Sequence, residues 1–193
     1  IKQGDLLKID FDSAIVQAIK INQKSVICRV ITEGEIGSNK GISSDRQYII
    51  PPLSEKDISL MKVANELKQN TIFLSFCSDA NDILKLRGYF DYEINVIAKI
   101  ENELGINNLD QICSKANGIL IDRGDLSREV PIEKIPFVQS YIIEKSKENS
   151  TPVYVATNLM ENMISNSKPT RAEVNDIVSS LKTGADGLVL AAE

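Results

Sequence analysis

Gly118-Ile119-Leu120-Ile121-Asp122-Arg123-Gly124-Asp125-Leu126 is the stretch that decides the fold. It opens with an unbroken apolar run and passes directly into charged residues around a glycine. A short apolar run without alternation predicts a strand buried on both faces. The same pattern recurs at residues 71–76, 94–100, 153–156 and 187–192. Helical stretches are expected between these strands, at residues 55–69, 79–89, 108–115, 133–147 and 170–183. Ser54 with Asp57 and Thr170 with Glu173 have the spacing of capping boxes, which start helices. Strands alternating with helices imply a parallel sheet covered by helices.

Two architectures fit that alternation, a doubly wound sheet and a (β/α)8 barrel. No glycine-rich phosphate-binding motif follows any of the strands, so the nucleotide-binding sheets lose support. The strand ends favour the barrel. Ser75 and Phe76 end the first strand, and Lys99 and Glu101 the second. Asp122, Arg123 and Asp125 follow the third, Thr157 and Asn158 the fourth, and Glu193 the last. Barrel enzymes build their sites at the carboxyl ends of successive strands. A single polar strand end means little, because loops are polar; five in a row point to a site.

The first forty-odd residues read differently. Residues 6–11, 14–21 and 25–31 are short β-branched runs separated by polar breaks, as in an antiparallel meander. Residues 33–41 are glycine-rich and read as a loop or linker. The expected organisation is a small β domain over residues 1–43 and an α/β domain over 44–193.

Composition excludes several classes. A net charge of -5 and a pI near 5.0 do not suit a general nucleic-acid binder, which needs a basic face. No apolar run approaches the roughly 20 residues of a membrane helix. Cys28, Cys77 and Cys113 are odd in number and scattered, without metal-ligand spacing, as in a reduced intracellular protein. The 193 residues include no histidine, which removes Ser-His and Cys-His pairs, His-ligated zinc and imidazole proton shuttles. Chemistry must then rest on lysine, carboxylates, hydroxyls or a hard cation held by oxygen.

Lys99 and Glu101 stand two apart on one strand, so their side chains share a face. They form either an internal ion pair or a cation beside a metal ligand. Gly124 leaves room for close approach to the backbone. Asp125 could share a cation with Glu101, or could cap a turn.

Several motifs together resemble the pyruvate kinase family, in order and spacing and essentially end to end. They are Lys99-Ile100-Glu101-Asn102, Arg123-Gly124-Asp125-Leu126, Ala156-Thr157 followed by Leu159-Met160-Glu161-Asn162-Met163-Ile164, and Pro169-Thr170-Arg171-Ala172-Glu173. Gly37-Ser38-Asn39-Lys40-Gly41 and Leu53-Ser54-Glu55-Lys56-Asp57 match it too. The resemblance implies the C-terminal five βα units of a TIM (β/α)8 barrel, preceded by part of the small antiparallel β domain. It implies Mg²⁺- (or Mn²⁺-) dependent phosphoryl transfer between phosphoenolpyruvate and ADP, giving pyruvate and ATP, in a cytoplasmic, homo-oligomeric enzyme of glycolysis.

On that resemblance Lys99 stabilises the pyruvate enolate and Thr157 takes part in proton transfer. Glu101 and Asp125 are the metal ligands. Gly124 and Asp125 present amides to the substrate carboxylate, with Ser75, Phe76 and Arg123 lining the same pocket. Lys40 lies near the nucleotide phosphates. The family's K⁺ ligands and phosphate-binding residues belong to a part of the barrel expected to lie outside this chain. The 193 residues alone are therefore expected to be inactive.

The chain departs from the family pattern at Asp122, where a small residue is usual, and at Ser78, Asp79, Leu104, Ser127, Asn158 and Ala191-Ala192 before Glu193. Asp122 adds a carboxylate beside an anion site. Two other readings therefore stand beside the kinase. One is a catalytically inactive pyruvate-kinase-like module fused to or associated with another enzyme. The other is a Mg²⁺/enolate barrel lyase acting on 2-oxo acids.

Overall fold

The computed structural model describes all residues except 11, 12, 39, 47, 49, 50 and 191–193. The chain forms two compact units, Ile1–Pro51 and Pro52–Glu193.

The first unit is a four-stranded antiparallel sheet. Its strands are β1 (Leu6–Ile9), β2 (Ala14–Ile21), β3 (Val26–Thr32) and β4 (Ile42–Ser44), in the order β3-β2-β1-β4. Alternation puts Leu7, Ala14, Val16 and Ala18 in its core. Strand β4 was not foreseen; it pairs with β1 across position 43/44, so the sheet runs past that point and its unit extends to Pro51. Three residues carry no readable period, and only the partner strand makes them a strand. Asp5 is 1% exposed and ties the unit together. Its carboxylate accepts from the Lys2 amide at 2.6 Å, from Arg46 Nε at 2.9 Å and from the Tyr48 hydroxyl.

The second unit is a parallel sheet with helices between its strands. The strands are β5 (Thr71–Leu74), β6 (Asn95–Ile100), β7 (Gly118–Asp122), β8 (Val153–Ala156) and β9 (Gly187–Val189). Each lies beside its neighbour in sequence, in the order β5-β6-β7-β8-β9, and every pairing is parallel. A doubly wound sheet reverses its strand order at one point. None of these five does, as in a sheet wound in one direction.

The helices are α1 (Glu55–Glu66), α2 (Ala80–Arg87), α3 (Glu103–Asn107), α4 (Leu109–Cys113), α5 (Arg123–Leu126), α6 (Ile135–Glu148) and α7 (Arg171–Thr183). Both expected capping boxes form, at Ser54 with Asp57 and at Thr170 with Glu173. Gly184 closes α7 with φ 114°, a left-handed conformation that suits glycine. Helices α3 and α5 were not foreseen, being single turns of four or five residues.

The core lies between the sheet and its helices. Val96, Ala98 and Ile100 of β6, Ile119 and Ile121 of β7, and Val153 and Val155 of β8 are fully buried against Ile83, Leu86, Ile112, Ile142 and Ile143. Cys77 and Cys113 belong to this core, as small apolar residues. Side chains anchor the amino ends of the strands. Asn117 Oδ1 accepts from the Val96 amide, and Asp186 Oδ2 from the Val153 amide, each at 2.8 Å. With those ends pinned, the opposite strand ends are held in common register. Among the described residues no helix is long and apolar enough to cross a membrane.

Candidate active site

Alternation along β6 sends Val96, Ala98 and Ile100 into the helix-covered core and Lys99 to the other face. Glu101, two residues on, turns the same way. Lys99 Nζ lies 2.6 Å from Glu101 Oε1 and 3.0 Å from Asp122 Oδ2, at the end of β7. The Thr157 hydroxyl, just after β8, donates to Asp122 Oδ1 at 2.8 Å. Three adjacent strand ends thus meet in one hydrogen-bonded and ion-paired group: Lys99, Glu101, Asp122 and Thr157. Asp125 joins it, since one oxygen each from Glu101, Asp122 and Asp125 lie within 4.8 Å of one another.

Glu101 is 1% exposed. Its Oε2 accepts from the Phe76 amide at 2.5 Å. Its Oε1 is buried and pairs with the Lys99 ammonium at 2.6 Å. The set of three carboxylates suits a hard divalent cation.

The electrostatics follow from burial and pairing. Burial pushes the Glu101 carboxyl above its ordinary value, outweighing the opposing pull of Lys99 and the Phe76 amide. At Lys99 burial acts to lower the ammonium's value, but contacts with Glu101 and Asp122 overcome it and the net direction is up. At Asp122 burial acts to raise, while Lys99 and the Thr157 hydroxyl overcome it and hold the carboxyl low. Lys99 is therefore a firmly held cation, and Asp122 a firmly held anion.

Backbone conformation at the strand ends is unusual. Phe76, Thr157 and Asn158 have φ of 51°, 74° and 56°. Left-handed backbone costs side-chain-bearing residues on the order of 1–3 kcal/mol each, most for β-branched threonine. Neighbouring interactions hold it. Arg123 donates from Nε and Nη2 to the Thr157 carbonyl at 3.1 and 2.6 Å, and from Nη2 to the Asn158 carbonyl at 3.1 Å. Its Nη1 pairs with Asp176 at 2.6 Å.

The expected site residues thus fall into groups. Lys99, Glu101, Asp125 and Thr157 come together, and Phe76 joins them through its amide. Asp122, set apart in the sequence as an added carboxylate, stands at the centre. Arg123 faces the β8 strand-end carbonyls. Gly124 is packed: a Cβ there would lie 2.9 Å from Thr157 Cγ2, so its close approach is to Thr157. Ser75 is exposed just after β5. Lys40 belongs to the first unit, where it pairs with Asp10 at 2.9 Å. Glu193 lies outside the described residues, as do Asn39 and Ala191-Ala192 of the quoted motifs. Arg128 and Asp176 escaped the sequence reading. Arg128 pairs with Asp125 at 2.7 Å across one turn, a spacing of three that was open to notice. Asp176 meets Arg123 from 53 residues away, and no local signal marks it.

A parallel sheet wound in one direction, with charged side chains converging at the carboxyl ends of its strands, defines a parallel α/β protein with a strand-end site. Comparison with known proteins gives the class a family. The profile described as "Pyruvate kinase, barrel domain" matches residues 1–193. The chain is 37% identical to the pyruvate kinase of Corynebacterium glutamicum over 196 residues, covering 100% of this chain and 41% of that protein. It is 36% identical to the pyruvate kinase of Mycobacterium tuberculosis over 194 residues, covering 98% and 41%. It is 35% identical to that of Candida albicans over 198 residues, covering 100% and 39%. The chain belongs to the pyruvate kinase family, and it spans about two-fifths of the length of these relatives.

Proposed function

We propose that the chain supplies the enolate- and cation-holding side of a pyruvate-kinase-type phosphotransferase, acting within a longer polypeptide. The observation that carries this reading is the Lys99 ammonium, fixed between the carboxylates of Glu101 and Asp122 beside the Thr157 hydroxyl.

The reaction is phosphoryl transfer between phosphoenolpyruvate and ADP. The bond between phosphorus and the enol oxygen breaks, and its electron pair stays on that oxygen. A new bond forms from phosphorus to a terminal oxygen of ADP, and a proton adds to the enolate carbon to give pyruvate. Lys99, kept charged by its partners, stabilises the developing enolate oxygen, an effect that supplies several kcal/mol when preorganised. Thr157, held rigidly at its strained backbone, positions its hydroxyl for the proton-transfer step. Gly124, Asp125, Ser75 and Phe76 line the substrate side, while Arg123 keeps the Thr157 segment in place. Glu101 and Asp125 would hold Mg²⁺ or Mn²⁺, which when bound neutralises charge on the transferring group. K⁺ is a second expected ion, and Lys40 an expected neighbour of the nucleotide phosphates.

The same reading assigns the first residues to the family's small β domain and the five parallel strands to the last five units of an eight-stranded barrel. In support, β5 and β9 each have one neighbouring strand among the described residues. Completion by other strands, a cytoplasmic homo-oligomer and inactivity of the 193 residues alone are parts of this proposal.

A coupled assay of pyruvate formation by the longer polypeptide tests it, with saturating Mg²⁺ and potassium. Lys99→Met is expected to lower kcat by a factor of about 10²–10³, the usual effect of losing one oxyanion-stabilising group. No turnover, or an unchanged rate in the variant, sinks the assignment. One observation favours a non-catalytic module: Asp122 occupies both Lys99 and Thr157. Calorimetry showing phosphoenolpyruvate binding without turnover would select that second reading.

A further inference from the structure

We propose that Asp122 is a built-in occupant of the anion side of this site, and that an incoming carboxylate or enolate ligand binds by displacing it. The inference rests on the reading above that Lys99 and Thr157 face the substrate.

Asp122 makes three polar contacts on different elements. Oδ2 lies 3.0 Å from Lys99 Nζ on β6. Oδ1 accepts from the Thr157 hydroxyl after β8 at 2.8 Å, and from the Asp125 amide of α5 at 3.4 Å. An ammonium, a hydroxyl and an amide converging on two carboxylate oxygens form a donor set that recognises a carboxylate. Here the carboxylate recognised is the chain's own.

The ordinary explanation is that Asp122 is the N-cap of α5. The distances speak against that as its main role. The cap contact, at 3.4 Å, is the longest of the three and at the limit of a useful hydrogen bond. The two short contacts reach out of the turn to the flanking strands, to the two side chains with chemical roles in the proposed reaction. The side chain is 15% exposed, so these contacts are screened only in part.

Two consequences follow. A tethered carboxylate competes at high effective concentration, so the apparent affinity for an external anion is the intrinsic affinity scaled down to the fraction of molecules in which Asp122 has turned away. The site also carries surplus negative charge. The one Lys99 ammonium pairs with both Glu101 and Asp122, while the neighbouring Asp125 pairs with the Arg128 guanidinium, so three carboxylates meet two cations. An anion must enter against that surplus, which removal of Asp122 reduces.

The test is calorimetric titration of oxalate, at fixed Mg²⁺, into the longer polypeptide in which this chain acts. The variants are Asp122→Ser, Asp122→Asn and Lys99→Met. Serine is a favoured cap residue and too short to reach Lys99, so the turn is retained and the donors are freed. Oxalate is expected to bind D122S at least tenfold tighter than the wild-type chain. D122N, which keeps the shape without the charge, is expected between the two. Oxalate is also expected to raise the urea midpoint of D122S more than that of the wild type. Equal affinity of the wild-type chain and D122S, with binding lost in K99M, overturns the inference and leaves the proposed function standing. Absence of oxalate binding in every form overturns both. If D122S does not fold, D122N decides: wild-type affinity there overturns the inference.

Discussion

Arg123 Nη2 donates to the Thr157 carbonyl at 2.6 Å, and the same guanidinium reaches Asp176 at 2.6 Å through Nη1. This cation links the end of β7, the end of β8 and helix α7. It holds the segment in which Thr157 and Asn158 keep left-handed backbone. Hydrogen bonds to a buried charged group are worth about 1.5–3 kcal/mol each. Arg123→Ala is therefore expected to destabilise the second unit by roughly 2–4 kcal/mol, allowing for the partial exposure of Asp176. Arg123→Lys keeps the charge but loses the planar fork, and should cost about half as much. Urea unfolding followed by circular dichroism checks both. Equal midpoints for wild type and R123A would show that Thr157 is held by something else.

Gly124 lies against Thr157 closely enough that an added methyl would sit 2.9 Å from Thr157 Cγ2. Alanine is the better helix former by about 0.5–1 kcal/mol, so propensity alone predicts stabilisation. Overpacking costs about 1–3 kcal/mol and is expected to win. Gly124→Ala should lower the urea midpoint and shift the Thr157 amide resonance as the hydroxyl moves from Asp122. A raised midpoint with an unmoved Thr157 signal would show that the contact relaxes freely.

Asp5 sets the acid limit of the first unit. The Tyr48 hydroxyl and the Lys2 amide, aided by Arg46 and opposed by burial, lower its carboxyl from 3.8 to about 2. A carboxyl lower in the folded than in the unfolded state stabilises fully above the unfolded value. That contribution is lost as pH falls from about 4 through about 2. Amide signals of β1 and β2 followed on acidification should report loss of the sheet across this window. Asp5→Asn is expected to weaken the sheet at neutral pH and to flatten the acid dependence. Parallel curves for wild type and D5N would refute the role.

The amino-acid sequence by itself determined the strand-helix alternation, the helix starts at Ser54 and Thr170, and the Lys99–Glu101 pair. Each is a local matter: an apolar run, a spacing of three, a spacing of two along a strand. The family motifs were legible as well, being contiguous stretches. Strand β4 and helices α3 and α5 were not, because three to five residues carry no period, and β4 takes its form from its distant partner β1. The tertiary structure alone decided the rest. It placed Asp122 between Lys99 and Thr157, turned Arg123 toward Asp176, and set Gly124 against the Thr157 methyl. These partners lie 23 to 53 residues apart in sequence. They meet because parallel strands in sequential order bring their carboxyl ends together, and no local pattern encodes that meeting.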